Sequence, residues 1–288
     1  MNAVQETLPE LSSPIGLVAG NGQFPLEFAE NARARGLKVE TVAIKGEADK
    51  RIEALSETTT WVTVGQLGKL IRSLKKRGVR QVAFAGGVTR VNFVDGFRID
   101  WVGLRMLSKL RSFNDDSIMR GIISTVESGG IQVIGASVLL EKSVPKAGVL
   151  TKRGLSKDEI ENARIGWEAA RTTGTLDIGQ SIVMRNKTII AVEAVEGTDA
   201  TIKRAAAVRG DGGVLVKLAK PIQDLRIDLP AIGVRTIELM HENRITALVM
   251  EAGKAIMLDP QGIVDAANRL GIAIVAAETV EQLPEFRS

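Results

Sequence analysis

Leu74 to Gly87 reads LKKRGVRQVAFAGG. Cations and then a glycine end a segment of helical period, and a short apolar run follows at once. Glycine accepts the left-handed conformation that closes a helix, and cations there suit the helix dipole. The same grammar recurs along the chain. NARARG leads into LKVETVAI, ANRLG leads into IAIVAA, and TVESGG leads more weakly into IQVIGA. Helices alternating with short apolar strands predict an α/β protein with parallel pairing. The intervals are unequal, so the repetition is architectural and not that of a solenoid.

Composition narrows the chemistry. The chain has 288 residues and is 44% apolar, enough to bury the core of one large or two ordinary domains. It contains no cysteine, which rules out disulfides and thiolate metal sites and suits a reducing compartment. Its one histidine, His241, lies in a charged HENR context, so imidazole-rich metal centres are excluded and a serine–histidine–aspartate site is disfavoured. Any metal is therefore expected on oxygen ligands, as Mg2+ or Mn2+. A net charge of +4 favours anionic ligands or an anionic membrane surface, while 3% aromatic residues leave little for base stacking, so no nucleic-acid partner is expected. No run is long and apolar enough to span a bilayer. The opening MNAVQETLPELSS is polar and acidic, unlike a signal peptide, and a cytoplasmic protein is the expectation.

In the first half, a buried strand is predicted over Ile15 to Ala19, turning through Gly20-Asn21-Gly22-Gln23 into a helix with Pro25 in its first turn. Strands follow at Val39 to Ile44, Trp61 to Val64 and Gln81 to Ala85, and a helix at Gln66 to Lys76. Gly86-Gly87-Val88-Thr89-Arg90 is a second strand-to-helix glycine turn. Trp101, Leu104, Leu107 and Leu110 share one helical face, read first as packing on the core, with a membrane surface or a lipid chain as alternatives. Asn114-Asp115-Asp116-Ser117 is read as the cap of the next helix. Residues 144–156, with a proline, two glycines and three cations, are read as a linker between domains at 1–143 and 157–288.

The second half is organised differently. Ser156 and Glu159 form a capping box for a helix through Arg171. Ser181 to Arg185 and Thr188 to Val192 flank Asn186-Lys187 as a hairpin, and further strands are expected at Thr246 to Met250 and Lys254 to Leu258. This reads as a distinct α+β domain. Its most unusual stretch is Leu215 to Pro230, LVKLAKPIQDLRIDLP. A buried strand stops at Lys220-Pro221, because proline removes a ladder donor. Asp224, Arg226 and Asp228 then alternate with apolar residues, so in extended backbone they would share a face near Lys217 and Lys220. Carboxylates among cations are the chemistry of a metal-assisted phosphate site, although a solvated edge strand carries the same alternation.

Two further groups bear on chemistry. AGNGQFP and AGGVTR are glycine turns that could bring backbone N–H groups to a phosphate, or could simply pack a strand closely on a helix. The dinucleotide fingerprint would place a third glycine at Pro25, which weakens a nicotinamide reading. The acidic set singled out in the second half is Glu193, Glu196, Asp199, Asp211, Asp224 and Asp228, of which Asp199 and Asp211 have ready roles as cap and turn residues. Arg204 joins the lysines as a cation able to neutralise a pyrophosphate.

LVAGNGQFP, AFAGGVTR, FNDDS, DIGQSIV, AVEAVEGTDA, VLVKLAKP and QDLRIDLPAIGVRTIE, in this order, resemble the LpxI type of UDP-2,3-diacylglucosamine pyrophosphatase, an enzyme family of lipid A biosynthesis. The resemblance runs from about Ile15 to about Ala277, and the EAVEGTDA and KPIQDLRIDLP segments are its most specific part. It implies a Rossmann-like N-terminal domain, a distinct C-terminal catalytic domain and a substrate held between them. The implied reaction is Mg2+-dependent hydrolysis of UDP-2,3-diacylglucosamine to UMP and 2,3-diacylglucosamine 1-phosphate (lipid X), with water attacking the phosphorus nearer the sugar. Carried onto this sequence, it singles out Asp224 as metal ligand or water activator, with Glu193 and Asp228 as supporting acids. It implies that Gln180 and Gln223 orient phosphate or water, and that Lys217, Lys220 and Arg226 meet the pyrophosphate. Gly20, Asn21, Gly22, Gln23, Gly86, Gly87 and Thr89 would line the N-terminal side. The expected partner is a lipid-linked nucleotide sugar. A peripheral contact with the inner membrane and a homodimer are both compatible with that. The alternatives are a non-catalytic nucleotide-sugar or lipid-binding regulator and, against the missing glycine, an oxidoreductase.

Overall fold

The structure is a computed structural model and describes residues 10–88, 99–110, 115–208, 210–221, 224, 226 and 229–287. The chain divides into two compact units, Met1–Glu141 and Lys142–Ser288.

In the first unit the elements are β1 (Ile15–Ala19), α1 (Phe24–Ala34), β2 (Val39–Ile44), β3 (Thr58–Val62), α2 (Leu67–Lys76), β4 (Gln81–Ala85), α3 (Trp101–Leu107), α4 (Asp115–Ser128) and β5 (Gln132–Ile134). The strands form one parallel sheet in the order β3-β2-β1-β4-β5. This is the Rossmann-like order, and it reverses direction between β1 and β4, where such sheets open a crevice. Ile15, Leu17 and Ala19 of β1 pack with Phe28 and Ala29 of α1 in the core on one side. The glycines that close the helical segments have the backbone expected of them: Gly36, Gly78 and Gly130 lie at φ 76°, 75° and 83°.

Two expectations are corrected here. β3 starts three residues earlier than read, pairing Thr58 to Val62 with Glu40 to Ile44. The apolar stripe on α3 turns inward only in part: Trp101 is 77% and Leu104 47% exposed and Leu107 and Leu110 are half-buried, while Gly103 and Met106 are buried. The contact surface is set by close approach rather than by bulk, since a Cβ on Gly103 would overlap the Gly65 carbonyl oxygen. The capping read for Asp115 and Asp116 concerns side chains outside the described residues.

In the second unit the elements are β6 (Gly148–Val149), α5 (Lys157–Thr175), β7 (Ser181–Arg185), β8 (Thr188–Val192), α6 (Thr198–Ala205), β9 (Val214–Lys217), β10 (Ala231–Ile232), α7 (Val234–Glu242), β11 (Ala247–Glu251), β12 (Ile256–Met257), α8 (Pro260–Leu270) and β13 (Ala273–Ala277). The sheet order is β6-β13-β11-β9-β7-β8. Its centre, β13, β11 and β9, is parallel, and β6 and β7 flank it antiparallel. Side chains alternate across β9. Val214 and Val216 join Ala163, Trp167 and Ala170 of α5, whereas Leu215 joins Ile202, Ile237 and Ile263 from α6, α7 and α8. Both faces are therefore covered, which explains why β9 and β13 read as continuous apolar runs. The hairpin turns on Asn186 and Lys187 at φ 49° and 60°, a pair of left-handed residues doing what glycine commonly does. Thr246 to Met250 and Lys254 to Leu258 fall in different sheets, because β12 pairs with β10 and not with β11.

The stretch read as a linker, 144–156, lies within this second unit. Gly148–Val149 pairs with β13, Leu155 is fully buried, and the Arg153 guanidinium grips Glu159 and the Thr246 carbonyl. Proline and glycine break its period without loosening it.

Candidate functional site

The second sheet gathers polar side chains at one edge. β9 ends at Lys217 and β11 at Glu251, while antiparallel β7 begins at Ser181 opposite Lys217. The Glu193 N–H, just past β8, donates to the Ser181 carbonyl at 2.9 Å. Thus Gln180, Ser181, Glu193, Lys217 and Glu251 lie at the carboxyl ends of the parallel strands, the usual location of ligands in open α/β sheets. Gly179 permits this: a Cβ there would overlap the Glu193 carbonyl oxygen.

On the side of α6, Lys217 is 2% exposed. Its Nζ donates to Thr198 Oγ1 at 2.7 Å and to Ser181 Oγ at 3.4 Å. Thr198 in turn donates to Glu193 Oε1 at 3.0 Å. Among the described residues the buried Glu193 Oε2 and Gln180 Oε1 have no hydrogen-bond partner. On the side of α5, Glu251 Oε1 accepts from Arg171 at 2.7 Å and pairs with Lys254 at 2.8 Å, and Glu251 Oε2 is likewise unmatched. Arg171 also donates to the Ala219 carbonyl at 3.2 Å and lies over the Trp167 ring. That contact holds the start of the segment that continues to Asp224. Lys220 is held by Asp177 at 2.7 Å.

Asp224 and Arg226 are not neighbours on one face of an extended strand, as the alternation had implied. Asp224 Oδ1 accepts the Arg226 backbone N–H at 3.1 Å, and the guanidinium forks onto the carboxylate, with Nη2 to Oδ2 at 2.7 Å. An aspartate that accepts the amide two residues on makes a turn, which displaces the strand. Gln223, Asp228 and Thr89 lie outside the described residues.

Of the remaining acids, Glu196 and Asp211 have structural partners. Glu196 accepts from Arg204 at 2.6 Å and from Thr201 at 3.3 Å; its own backbone N–H and then Arg204 hold its carboxyl below the usual range. Asp211 pairs with Arg244, and Asp199 sits exposed in the first turn of α6. Among the described residues no three His, Cys, Asp or Glu side chains converge as a metal cage.

In the first unit the two glycine turns flank the β1/β4 switch point and are bonded to each other. Gly20 N donates to Ala85 O at 2.9 Å and Asn21 N to Gly87 O at 2.8 Å, while Gly87 N donates to the Asn21 side chain at 3.2 Å. A Cβ on Gly20 would overlap the Gly87 carbonyl oxygen, and one on Gly86 the Asn21 carbonyl oxygen. Close backbone approach thus explains these glycines, and three amides of the turns are committed within the protein. Asn21 Nδ2 donates to Glu47 at 2.9 Å, and Gln23 accepts from Arg51 at 3.3 Å. Gly22, at φ 87°, has open space around it.

Sequence reasoning named Glu193, Lys217 and Gln180 but missed Thr198, Ser181, Glu251 and Arg171. The pairing of β7, β9 and β11 brings Ser181 and Glu251 to the edge of Lys217, and α6 and α5 carry Thr198 and Arg171 to it.

Two family descriptions match the chain, the LpxI N-terminal domain over residues 14–143 and the LpxI C-terminal domain over 146–275. The chain is 33% identical over 280 residues to the UDP-2,3-diacylglucosamine pyrophosphatase LpxI of Caulobacter vibrioides, across 93% of this chain and 99% of that one. Likeness to solved structures is slight. A UDP-glucose-4-epimerase from Stenotrophomonas maltophila aligns at 14% identity and a TM-score of 0.27, over 42% of this chain and 35% of that one. The biotin carboxylase domain of the Hydrogenobacter thermophilus 2-oxoglutarate carboxylase aligns at 12% and 0.30, over 69% and 41%.

Proposed function

This chain belongs to the LpxI family, and we propose that it hydrolyses the pyrophosphate bond of UDP-2,3-diacylglucosamine to UMP and 2,3-diacylglucosamine 1-phosphate. The observation that carries the reading is the likeness to the Caulobacter vibrioides pyrophosphatase along 93% of the chain, which leaves neither unit without a counterpart. The geometry supports it with a sheet edge that holds a buried lysine and two carboxylates, each with one oxygen unmatched among the described residues.

In this reading Lys217, Lys220 and Arg226 neutralise the pyrophosphate, where charge grows on the leaving phosphate. Gln180, with its unmatched acceptor, and Gln223 orient water or phosphate. Asp224 and Asp228 are the carboxylates assigned to a divalent ion, and Glu193 is a supporting acid. The described donors fit an ion that arrives with its substrate, because Mg2+ needs only one or two carboxylates beside phosphate oxygens. When bound it would polarise the phosphoryl oxygens. Water adds to the phosphorus nearer the sugar, the bond from that phosphorus to the bridging oxygen breaks, and UMP leaves. Gly20 to Gln23, Gly86, Gly87 and Thr89 are assigned to substrate on the first unit; that both units serve one substrate rests on the sequence resemblance. The exposed Trp101 and Leu104, with Arg105 beside them, suit a peripheral contact with the membrane that carries the lipid.

The test is 31P NMR of purified protein with UDP-2,3-diacylglucosamine and Mg2+ in 18O water. The expected products are UMP and labelled lipid X, with turnover abolished by excess EDTA. No turnover with Mg2+ or Mn2+ overturns the reading, label in UMP overturns the site of attack, and full activity in EDTA removes the metal.

A further inference from the structure

The buried lysine at the sheet edge stands in an unfavourable place. Thr198 is the first residue of α6, after Gly197 at φ 82°. The start of a helix carries partial positive charge, so a cation is disfavoured there. Burial adds to the cost, because a buried charge needs hydrogen-bonded compensation. Yet Lys217 is 2% exposed and its Nζ lies 2.7 Å from Thr198 Oγ1.

Hydroxyls supply part of that compensation, Thr198 Oγ1 at 2.7 Å and Ser181 Oγ at 3.4 Å from the Lys217 Nζ. A threonine hydroxyl has one hydrogen to give and two lone pairs. Thr198 Oγ1 accepts from the ammonium and gives its hydrogen to Glu193 Oε1 at 3.0 Å. Glu193 is itself 6% exposed. The Thr198 oxygen therefore links the Glu193 carboxylate to the Lys217 ammonium. The chain fixes all three parts independently. Lys217 is held by the β9 register, Glu193 by the hydrogen bond its N–H donates to the Ser181 carbonyl, and Thr198 by the start of α6.

We propose that Thr198 is a positioning residue, whose hydroxyl bridges Glu193 to Lys217 and sets where the Lys217 ammonium stands at the carboxyl edge of the second sheet. This rests on the hydrolysis proposed above, in which that ammonium meets the pyrophosphate. The bridge places the charge before substrate arrives, so its loss weakens stabilisation of the leaving phosphate more than it weakens binding.

Two substitutions separate the hydroxyl from the shape of the side chain. Thr198→Val keeps the branched shape and removes the hydroxyl; Thr198→Ser does the reverse. The expected result for Val is a fall in kcat of about thirtyfold with KM changed by less than about threefold, and for Ser a kcat within about threefold of the parent. A role in packing or in starting α6 alone would reverse this order, and Val equal to or better than Ser overturns the proposal. Should Val fail to fold on thermal melting, Thr198→Ala is set against Ser by the same criterion. A lysine-selective 1H–15N spectrum supplies a readout that needs no turnover. The Lys217 ammonium, assigned by its absence in Lys217→Met, is expected to be protected from exchange in the parent and in Ser and lost in Val. An inactive parent with that pattern would sink the hydrolysis and leave the bridge; an active parent with the ammonium unchanged in Val would sink the bridge alone.

Discussion

The carboxyl edges of the two sheets solve different problems. In the first unit the edge is made of backbone. Gly20, Gly86 and Gly87 bring two turns into contact, and three of their amides are bonded across the switch point. In the second unit the edge is made of side chains. Lys217, Glu193, Glu251 and Arg171 sit where the strands end, and acceptor oxygens of Gln180, Glu193 and Glu251 are unmatched among the described residues. Closely packed, mutually satisfied backbone makes a rigid wall. Buried polar groups with spare acceptors cost stability and are found where chemistry is done. The first edge is expected to govern folding, and the second turnover.

The largest expected effect breaks that contrast or establishes it. Asp224→Ala should lower kcat by about a thousandfold or more while substrate binding is retained. Stability should change by less than about 1 kcal/mol, because the fork between Asp224 and Arg226 is partly exposed and such pairs contribute little. Steady-state kinetics, binding by calorimetry and thermal melting on the same sample read out all three. Turnover within about threefold of the parent would remove Asp224 from the mechanism.

How much of this was legible differs between the edges for the same reason. Strand, glycine and helix order are local properties, so LKKRGVRQVAFAGG carries its own structure, and Gly36, Gly78, Gly130 and Gly271 all adopt the left-handed backbone its pattern requires. The capping box of Ser156 and Glu159 is equally local and forms as read. Ser181, Lys217 and Glu251 become a group only through strand register, which one sequence does not display. The alternation misled at Asp224 and Arg226 because a side chain competed with the ladder: the Asp224 carboxylate takes the Arg226 amide. The Trp101 stripe misled because α3 seats itself through Gly103, and a residue with no side chain leaves no mark in an apolar pattern.

A smaller effect tests the wall. Gly20→Ala places a Cβ against the Gly87 carbonyl oxygen, a backbone atom that cannot rotate away. The expected loss is about 3 kcal/mol, the range for overpacking a closed site. Gly22→Ala is the control from the same turn. It meets open space at φ 87°, so only conformational strain of about 1 kcal/mol is expected. Urea denaturation of the two variants measures the difference. Equal losses would mean that the contact between the turns is not what requires glycine.

The smallest effect sharpens the comparison within the second unit, by setting its carboxyl edge against its amino edge. Glu159 stands at the latter, where it meets Thr246, the residue before β11. Every donor a carboxylate can use is present: Arg153 forks onto it at 2.9 and 3.0 Å, the Ser156 amide donates at 2.8 Å and the Thr246 hydroxyl at 2.7 Å. Burial raises the Glu159 carboxyl, yet the bonds from Arg153, Ser156 and Thr246 together hold it below its ordinary value. A carboxyl lowered in the folded state stabilises the fold above its unfolded pKa, and that contribution is lost as pH falls through the folded value. Glu159→Gln should therefore cost about 2 kcal/mol at neutral pH, a gap that narrows below about pH 4.5 as the parent loses the same charge. Its kcat should match the parent, because the amino edge takes no part in the reaction. A gap in stability that stays constant from pH 7 to about pH 3 would show that shape, and not charge, is what Glu159 contributes. A fall in kcat would show that the two edges are coupled through β9 and β11, and the division of labour drawn between them would fail.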